Sequence, residues 1–215
     1  MKDDLRTMFN RVCADAINAY IDTVIFLMGM KCSYPDNGCH LYRYSFYSIR
    51  QRTILSVKKL IEPSGKDKIN INTIIKQLDK NSDLFKDRFP SWKADMDFLS
   101  KTYEELIESD GAKRLKVFRD SICHNTEENA EIMVYCKDLM RATKFVLDVL
   151  SYVYFVLYEK DADFLLEVRS MAHILAHDYW DGLYAAVKQT EPRHDMVNRL
   201  QDILDGKFEK TGETK

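Results

Sequence analysis

Four prolines punctuate the chain, at positions 35, 63, 90 and 192. Proline lacks a backbone N–H and disfavours helical conformation in the residue before it, so each one marks a place where a helix has to stop. All four fall at breaks between apolar runs of helical spacing, and no alternating run bounded by turn residues offers a strand instead. The chain therefore reads as all-α, an up-and-down bundle of about six to eight helices.

A first helix is expected over residues 3–28, where Ile17, Ile21, Val24 and Met28 share a face and Gly29 ends it. Turn signals fill residues 31–38. A second helix spans residues 41–61 with Tyr42, Phe46, Ile49, Thr53, Val57 and Leu60 inward, ending before Pro63. Residues 64–70 form a polar loop, 71–78 a short helix, and 85–91 a loop around Pro90. A helix over 92–107 buries Met96, Leu99, Tyr103 and Leu106 and is closed by Asp110 and Gly111; another covers 112–124. Residues 127–158 form the longest run and the expected core spine. Further helices are read over 161–188 and, after Pro192, to Leu204. Residues 1–205 form a single helical domain and 206–215 a disordered tail.

With 46% hydrophobic and 31% charged residues, the composition excludes a largely disordered chain. A net charge of -2 argues against a general nucleic-acid coat, which needs an excess of Lys and Arg, so any nucleic-acid contact has to be local. Asp3 and Asp4 stand where an export signal would be basic, and the most apolar segment, 145–158, is short for a bilayer and holds Asp148. Five cysteines at irregular spacing suit reduced thiols. A cytoplasmic protein without a membrane partner is the expectation.

Two local basic clusters stand out in this slightly acidic chain. Between His40 and Ile61 lie Arg43, Arg50, Arg52, Lys58 and Lys59 and no acid. Arg43, Tyr47 and Arg50 share a helical face, where a base stacked on Tyr47 between two guanidiniums would make a single-stranded RNA contact. A solvated basic face is the plainer alternative. Lys113, Arg114, Lys116 and Arg119 form the second cluster.

That second cluster leads into Arg119, Asp120 and His124, a concentrated set of phosphate-binding and proton-transfer groups. Asp120 and His124 are four positions apart on one helical face, so a carboxylate can orient an imidazole. Arg119 and His124 lie about 140° apart. Both reach one phosphate only if the helix loosens or a second subunit completes the site. Asn125 and Glu128 form a capping-box pattern that would start a new helix just past the histidine.

Arg119-Asp120-x-x-x-His124 resembles the R-x4-6-H motif of the HEPN superfamily, in which a polar residue commonly follows the arginine. The layout of residues 52–61, a short polar break, and 72–78 is similar to that of the abortive-infection U-type HEPN-like proteins, bacterial phage-defence relatives. The resemblance covers roughly residues 40–160. It implies a homodimer with a composite cleft and a metal-independent endoribonuclease needing no cofactor, acting on RNA in phage defence or as a toxin with a cognate antitoxin. It further implies attack of a ribose 2′-OH on the adjacent phosphate, leaving a cyclic phosphate. His124 would be acid and base, Arg119 the phosphate binder and Asp120 the group positioning the imidazole. Against this stands a non-catalytic RNA-binding or partner-binding helical module, with the motif as a structural ion pair.

Other constellations are weaker. His173 and His177 sit at helical i, i+4 spacing but lack the zincin glutamate and further ligands. Cys32, Cys39 and His40 do not match a zinc-knuckle spacing. Cys123 and His124, as adjacent helical residues, diverge by about 100° and cannot readily share a proton. There is no glycine-rich phosphate loop and no dinucleotide fingerprint.

Overall fold

A 28-residue helix, α1 (Lys2–Gly29), is the hub of the molecule. Its inner face is Leu5, Phe9, Val12, Ala16, Ala19, Thr23 and Phe26, spaced alternately by four and three, and none is more than 4% exposed. This stripe keeps facing the same way along the helix, as a/d positions do. Ile17, Ile21 and Met28, expected inward, are only partly buried beside it. The inner face carries small residues at its centre, so neighbouring helices come close.

The computed structural model describes residues 2–30, 40–63, 69–124 and 134–190, without the side chains of 2–3, 40–43, 122–124 and 186–190. After α1 come α2 (His40–Ile61), α3 (Ile71–Lys80), a single 3₁₀ turn (Ser82–Leu84), α4 (Trp92–Glu108), α5 (Asp110–His124), α6 (Cys136–Tyr158) and α7 (Asp163–Thr190). Among the described residues there are seven α-helices and no strand, so the all-α expectation holds. The expected breaks at 31–38 and 64–68, the capping box at Asn125 and Glu128, the helix after Pro192 and the tail 206–215 lie outside the described residues.

Helix α1 packs against α2, α3, α6 and α7. At its crossing with α6, Thr23 and Thr143 return their hydroxyls to Ala19 and Leu139 carbonyls at 2.7 Å, which satisfies two buried polar groups. Toward α2, Arg52 donates to both oxygens of Asp22 at 2.8 and 2.5 Å, and Lys59 reaches Asp15 at 2.8 Å. Toward α7, the Trp180 indole N–H donates to the Ile25 carbonyl at 2.7 Å, and its ring covers Gly29. By length and composition residues 4–29 of α1, and not 145–158, would suffice to cross a bilayer. In this fold the helix is the centre of the bundle.

Two boundaries differ from expectation. Asp110 and Gly111 open α5 instead of closing α4: Ser109 leaves helical geometry, and its hydroxyl accepts the Ala112 N–H at 3.2 Å. Helix α6 begins at Cys136, not Glu127, because Val134 and Tyr135 are non-helical and the Tyr135 N–H is held by Asp138 at 3.3 Å. Once begun, α6 keeps one face buried from Leu139 to Leu157 and shares the role of core spine with α1. On α7 an outer face of Met171, Ile174, Leu175 and Tyr179 is exposed.

Candidate functional site

The site grows from the last turn of α2. Helix ends leave carbonyls without intrahelical partners, and two of them are met here by buried side chains. Tyr103 of α4 donates its hydroxyl to the Ile61 carbonyl at 3.0 Å. Asn70 donates its amide to the Glu62 carbonyl at 2.5 Å, while its Oδ1 caps α3 by accepting the Thr73 N–H at 3.1 Å. Asn70 and Tyr103 are 1% and 5% exposed, so the backbone at Glu62 is fixed from two sides. Burial, with the Glu62 carboxylate adding to it, pushes the Tyr103 hydroxyl up to about 12.

Helix α5 lies across this end, anchored by Ala112 and Leu115 in the core. Phe118 is partly buried beneath α2, with the Arg50 guanidinium 4.7 Å above its ring. Next to it Arg119 bridges the helices. Its Nη1 donates to the Glu62 carboxylate, and its Nε and Nη2 donate to Asp120 Oδ1 at 2.8 and 2.6 Å. A guanidinium offers five N–H donors, so these contacts orient the fork without exhausting it. The hydrogen bond to Glu62, and then that to Asp120, outweighs partial burial and raises the pKa above the usual arginine range; the group stays charged.

Lys58, one turn before Glu62, is 5% exposed. Burial pulls its ammonium below the usual lysine range; Glu62 opposes that, Arg119 and Lys116 add to it, and Asp120 opposes it. Neither Lys58 nor Glu62 was singled out as a site residue from sequence. The signal for Lys58 was its register: Ile54, Val57, Lys58 and Ile61 are spaced as one helical stripe, and all are buried.

The remaining expected site residues are distributed as follows. His124 is the last residue of α5, and its side chain and that of Arg43 lie outside the described residues. Asp120 faces Arg119; its expected pairing with His124 falls outside the description. Tyr47 is exposed, its ring edge-on to Phe46. Lys113 is exposed and 3.7 Å from Asp110, and Lys116 is exposed. Arg114 is committed to Asp138 through a two-pronged pair at 3.0 and 2.8 Å, with the Tyr135 ring 4.8 Å from its guanidinium. A cleft of about 330 Å³ opens there, lined by Asp110, Arg114, Lys137, Asp138 and Arg141, at the opposite end of α5 from Arg119. The contact of Arg50 with Phe118 places the basic face of α2 beside the motif helix.

His177 pairs with Asp181 at 2.9 Å on an exposed face of α7, and His173 is exposed. Among the described residues no group of three or more His, Cys, Asp or Glu is gathered as for a metal ion. Cys32, Cys39 and the side chains of His40 and Cys123 lie outside the description. Burial pushes the Cys13 thiol up to about 11, which removes it as a nucleophile near neutral pH. Comparison with known proteins gives no match: no family model, no curated protein and no solved structure is similar to this chain.

Proposed function

We propose that this protein is a HEPN-like, metal-independent endoribonuclease acting in the cytoplasm in phage defence or as a toxin, with Arg119, Asp120 and His124 as its working residues. The observation that supports this most is the setting of Arg119. Its guanidinium is held by Glu62 and Asp120 at the α2–α5 junction, with donors to spare for phosphate oxygens. Such a group stabilises charge building on a phosphate during in-line attack, and it needs no reorganisation when the charge develops. His124, five positions on at the end of α5, supplies proton transfer near neutral pH. Asp120 orients the guanidinium and shares the face from which it could reach the imidazole. Tyr47 and Arg50, on the face of α2 that borders α5, offer a stacking and phosphate surface for the flanking strand.

A homodimer would set Arg119 of one subunit against His124 of the other and so answer their angular separation. A second reading is favoured by the same arginine: the Arg119–Glu62 bridge would hold α2 and α5 together in a non-catalytic helical module that binds RNA or a protein partner. The two differ in turnover. The ribonuclease cuts single-stranded RNA in excess chelator and leaves 2′,3′-cyclic phosphate ends; absence of cleavage, or cleavage only with added metal, would overturn it.

A further inference from the structure

Helix α5 meets the first turns of α6 at the cleft of about 330 Å³, and the lining divides by chemistry. Ile61, Leu106, Leu115 and Ala142 give it an apolar, buried part. Arg114 of α5 and Lys137 and Arg141 of α6 bring three cations to it, against the carboxylates of Asp110 and Asp138. The Arg114 guanidinium is fixed in place. Its Nε and Nη2 donate to Asp138 at 3.0 and 2.8 Å, and that carboxylate, 8% exposed, is held in turn by the Tyr135 N–H at 3.3 Å. Gly111 makes room for it: a Cβ there would lie 2.7 Å from Asp138 Oδ1, so a residue that is poor in helices is what lets the carboxylate seat against α5. Arg114 Nη1 is left over and makes no hydrogen bond among the described residues. Asp110 has Lys113 at 3.7 Å. With both carboxylates matched in this way, Lys137 and Arg141 remain, exposed, one turn apart on one face of α6, and without an ion pair among the described residues. Two unmatched positive charges beside an oriented guanidinium suit a phosphate dianion, which carries a charge of about −1.5 to −2 and three acceptor oxygens.

We infer that this cleft binds a phosphate dianion, free or as the terminal group of a small phosphomonoester such as a sugar phosphate. Arg114 donates from its spare Nη1 and fixes the orientation of the phosphate, because Asp138 already holds the rest of the fork. Lys137 and Arg141 supply the balancing charge, and the apolar part of the cleft thins the water around the ions, which strengthens the attraction. The volume is at the lower end for small-molecule sites, enough for a phosphate and a sugar-sized body. The site is separate from the motif: Arg119 lies five residues further along α5 and about 140° around it from Arg114. The inference therefore does not rest on the ribonuclease reading. By sequence Arg114 belongs with Lys113 and Lys116; in the fold its cationic neighbours at the cleft are on α6.

The test uses the full chain, the double variant Lys137→Gln/Arg141→Gln, the single variant Arg114→Lys, and Lys101→Gln as an exposed control on α4. Lys137 and Arg141 are exposed and their removal strands no carboxylate among the described residues, so the double variant should melt with wild type. Arg114→Lys keeps a charge for Asp138 but lacks the fork. Each protein is titrated calorimetrically with inorganic phosphate, ribose 5-phosphate and ribose at pH 8, with sodium chloride holding the ionic strength constant. Wild type and Lys101→Gln should bind both phosphates and not ribose. The double variant should bind them about a hundredfold more weakly, roughly tenfold for each cation removed, and a folded Arg114→Lys about tenfold more weakly. Ribose 5-phosphate binding more tightly than inorganic phosphate assigns the cleft to a phosphomonoester, and equal affinity assigns it to the free ion; either result supports the site. No binding of either phosphate by wild type, binding of ribose itself, or affinity unaltered in the double variant or in a folded Arg114→Lys would overturn it.

Discussion

Tyr103 is where the protein's alkaline limit should originate. In the folded chain its hydroxyl holds its proton to about 12, because burial and the Glu62 carboxylate disfavour the phenolate, whereas in the unfolded chain it is released near 10. Below pH 10 both states carry the proton and the contribution to stability is complete. Between 10 and 12 only the folded state does, so stability falls as pH rises. Tyr152, raised by burial and by its bond to Asp95, acts in the same direction. Lys58 has the opposite sign: with its pKa lowered in the fold, its penalty is relieved as pH approaches the unfolded value of 10.5. Tyr103→Phe should cost about 1 kcal/mol at pH 8, through the lost bond to Ile61. Urea titrations between pH 8 and 11.5 should then show a shallower alkaline decline than wild type; an equally steep decline would remove Tyr103 as its source. At this scale the sequence was only partly legible. Arg119 and Asp120 were visible as a pair, because their contact is local. Glu62 was not, since 57 residues of chain separate it from Arg119 and only packing brings them together. Lys58 was read as one charge of a basic run, where its place in an apolar stripe pointed inward.

Among the helices, the joint between α1 and α7 is the most exacting contact. A Cβ added at Gly29 would lie 2.3 Å from the Trp180 ring, far inside contact distance, and the ring is itself held by its bond to the Ile25 carbonyl. Gly29→Ala should therefore destabilise by about 1–3 kcal/mol despite the better helix propensity of alanine. Loss of stability with a red-shifted Trp180 emission is the expected signature; an unchanged or raised melting temperature would show that α7 does not dock on α1 in this way. Helix existence followed from the spacing of apolar residues, since each segment between breaks had one stripe. Helix ends followed less well. Asp110 and Gly111 look like a stop, yet Ser109 one residue earlier both ends α4 and caps α5. On α1 Val24 is buried as expected, but Ile17, Ile21 and Met28 sit at the edge of the face, because the small residues Ala16, Ala19 and Thr23, weak signals in an apolar pattern, line the inner stripe. On α2, Ile49, Thr53, Val57 and Leu60 are buried as expected, and Ile54 and Ile61 are buried too, because α1, α5 and α6 all pack against this helix.

For the molecule as a whole, the fold brings the basic face of α2 to the motif helix and fixes Glu62 under Arg119; the proposed chemistry depends on that assembly. It alters one expectation. Arg119 is not a free helix-end residue but a bridge between α2 and α5, so Arg119→Ala should lower stability by about 1–3 kcal/mol through the lost bridge to Glu62. Both Arg119→Ala and His124→Ala should remain folded at assay temperature. The most direct test of the ribonuclease is the cleavage rate of each variant and of the two mixed after co-refolding, with a melt on every sample. Each variant alone should lose at least about a hundredfold in rate, and the mixture should recover a part of the wild-type rate, since some mixed dimers carry one cleft with an intact Arg119 and an intact His124 from opposite subunits. Wild-type cleavage by either folded variant would contradict the assignment outright, and folded variants that stay inactive when mixed would contradict a site shared between subunits.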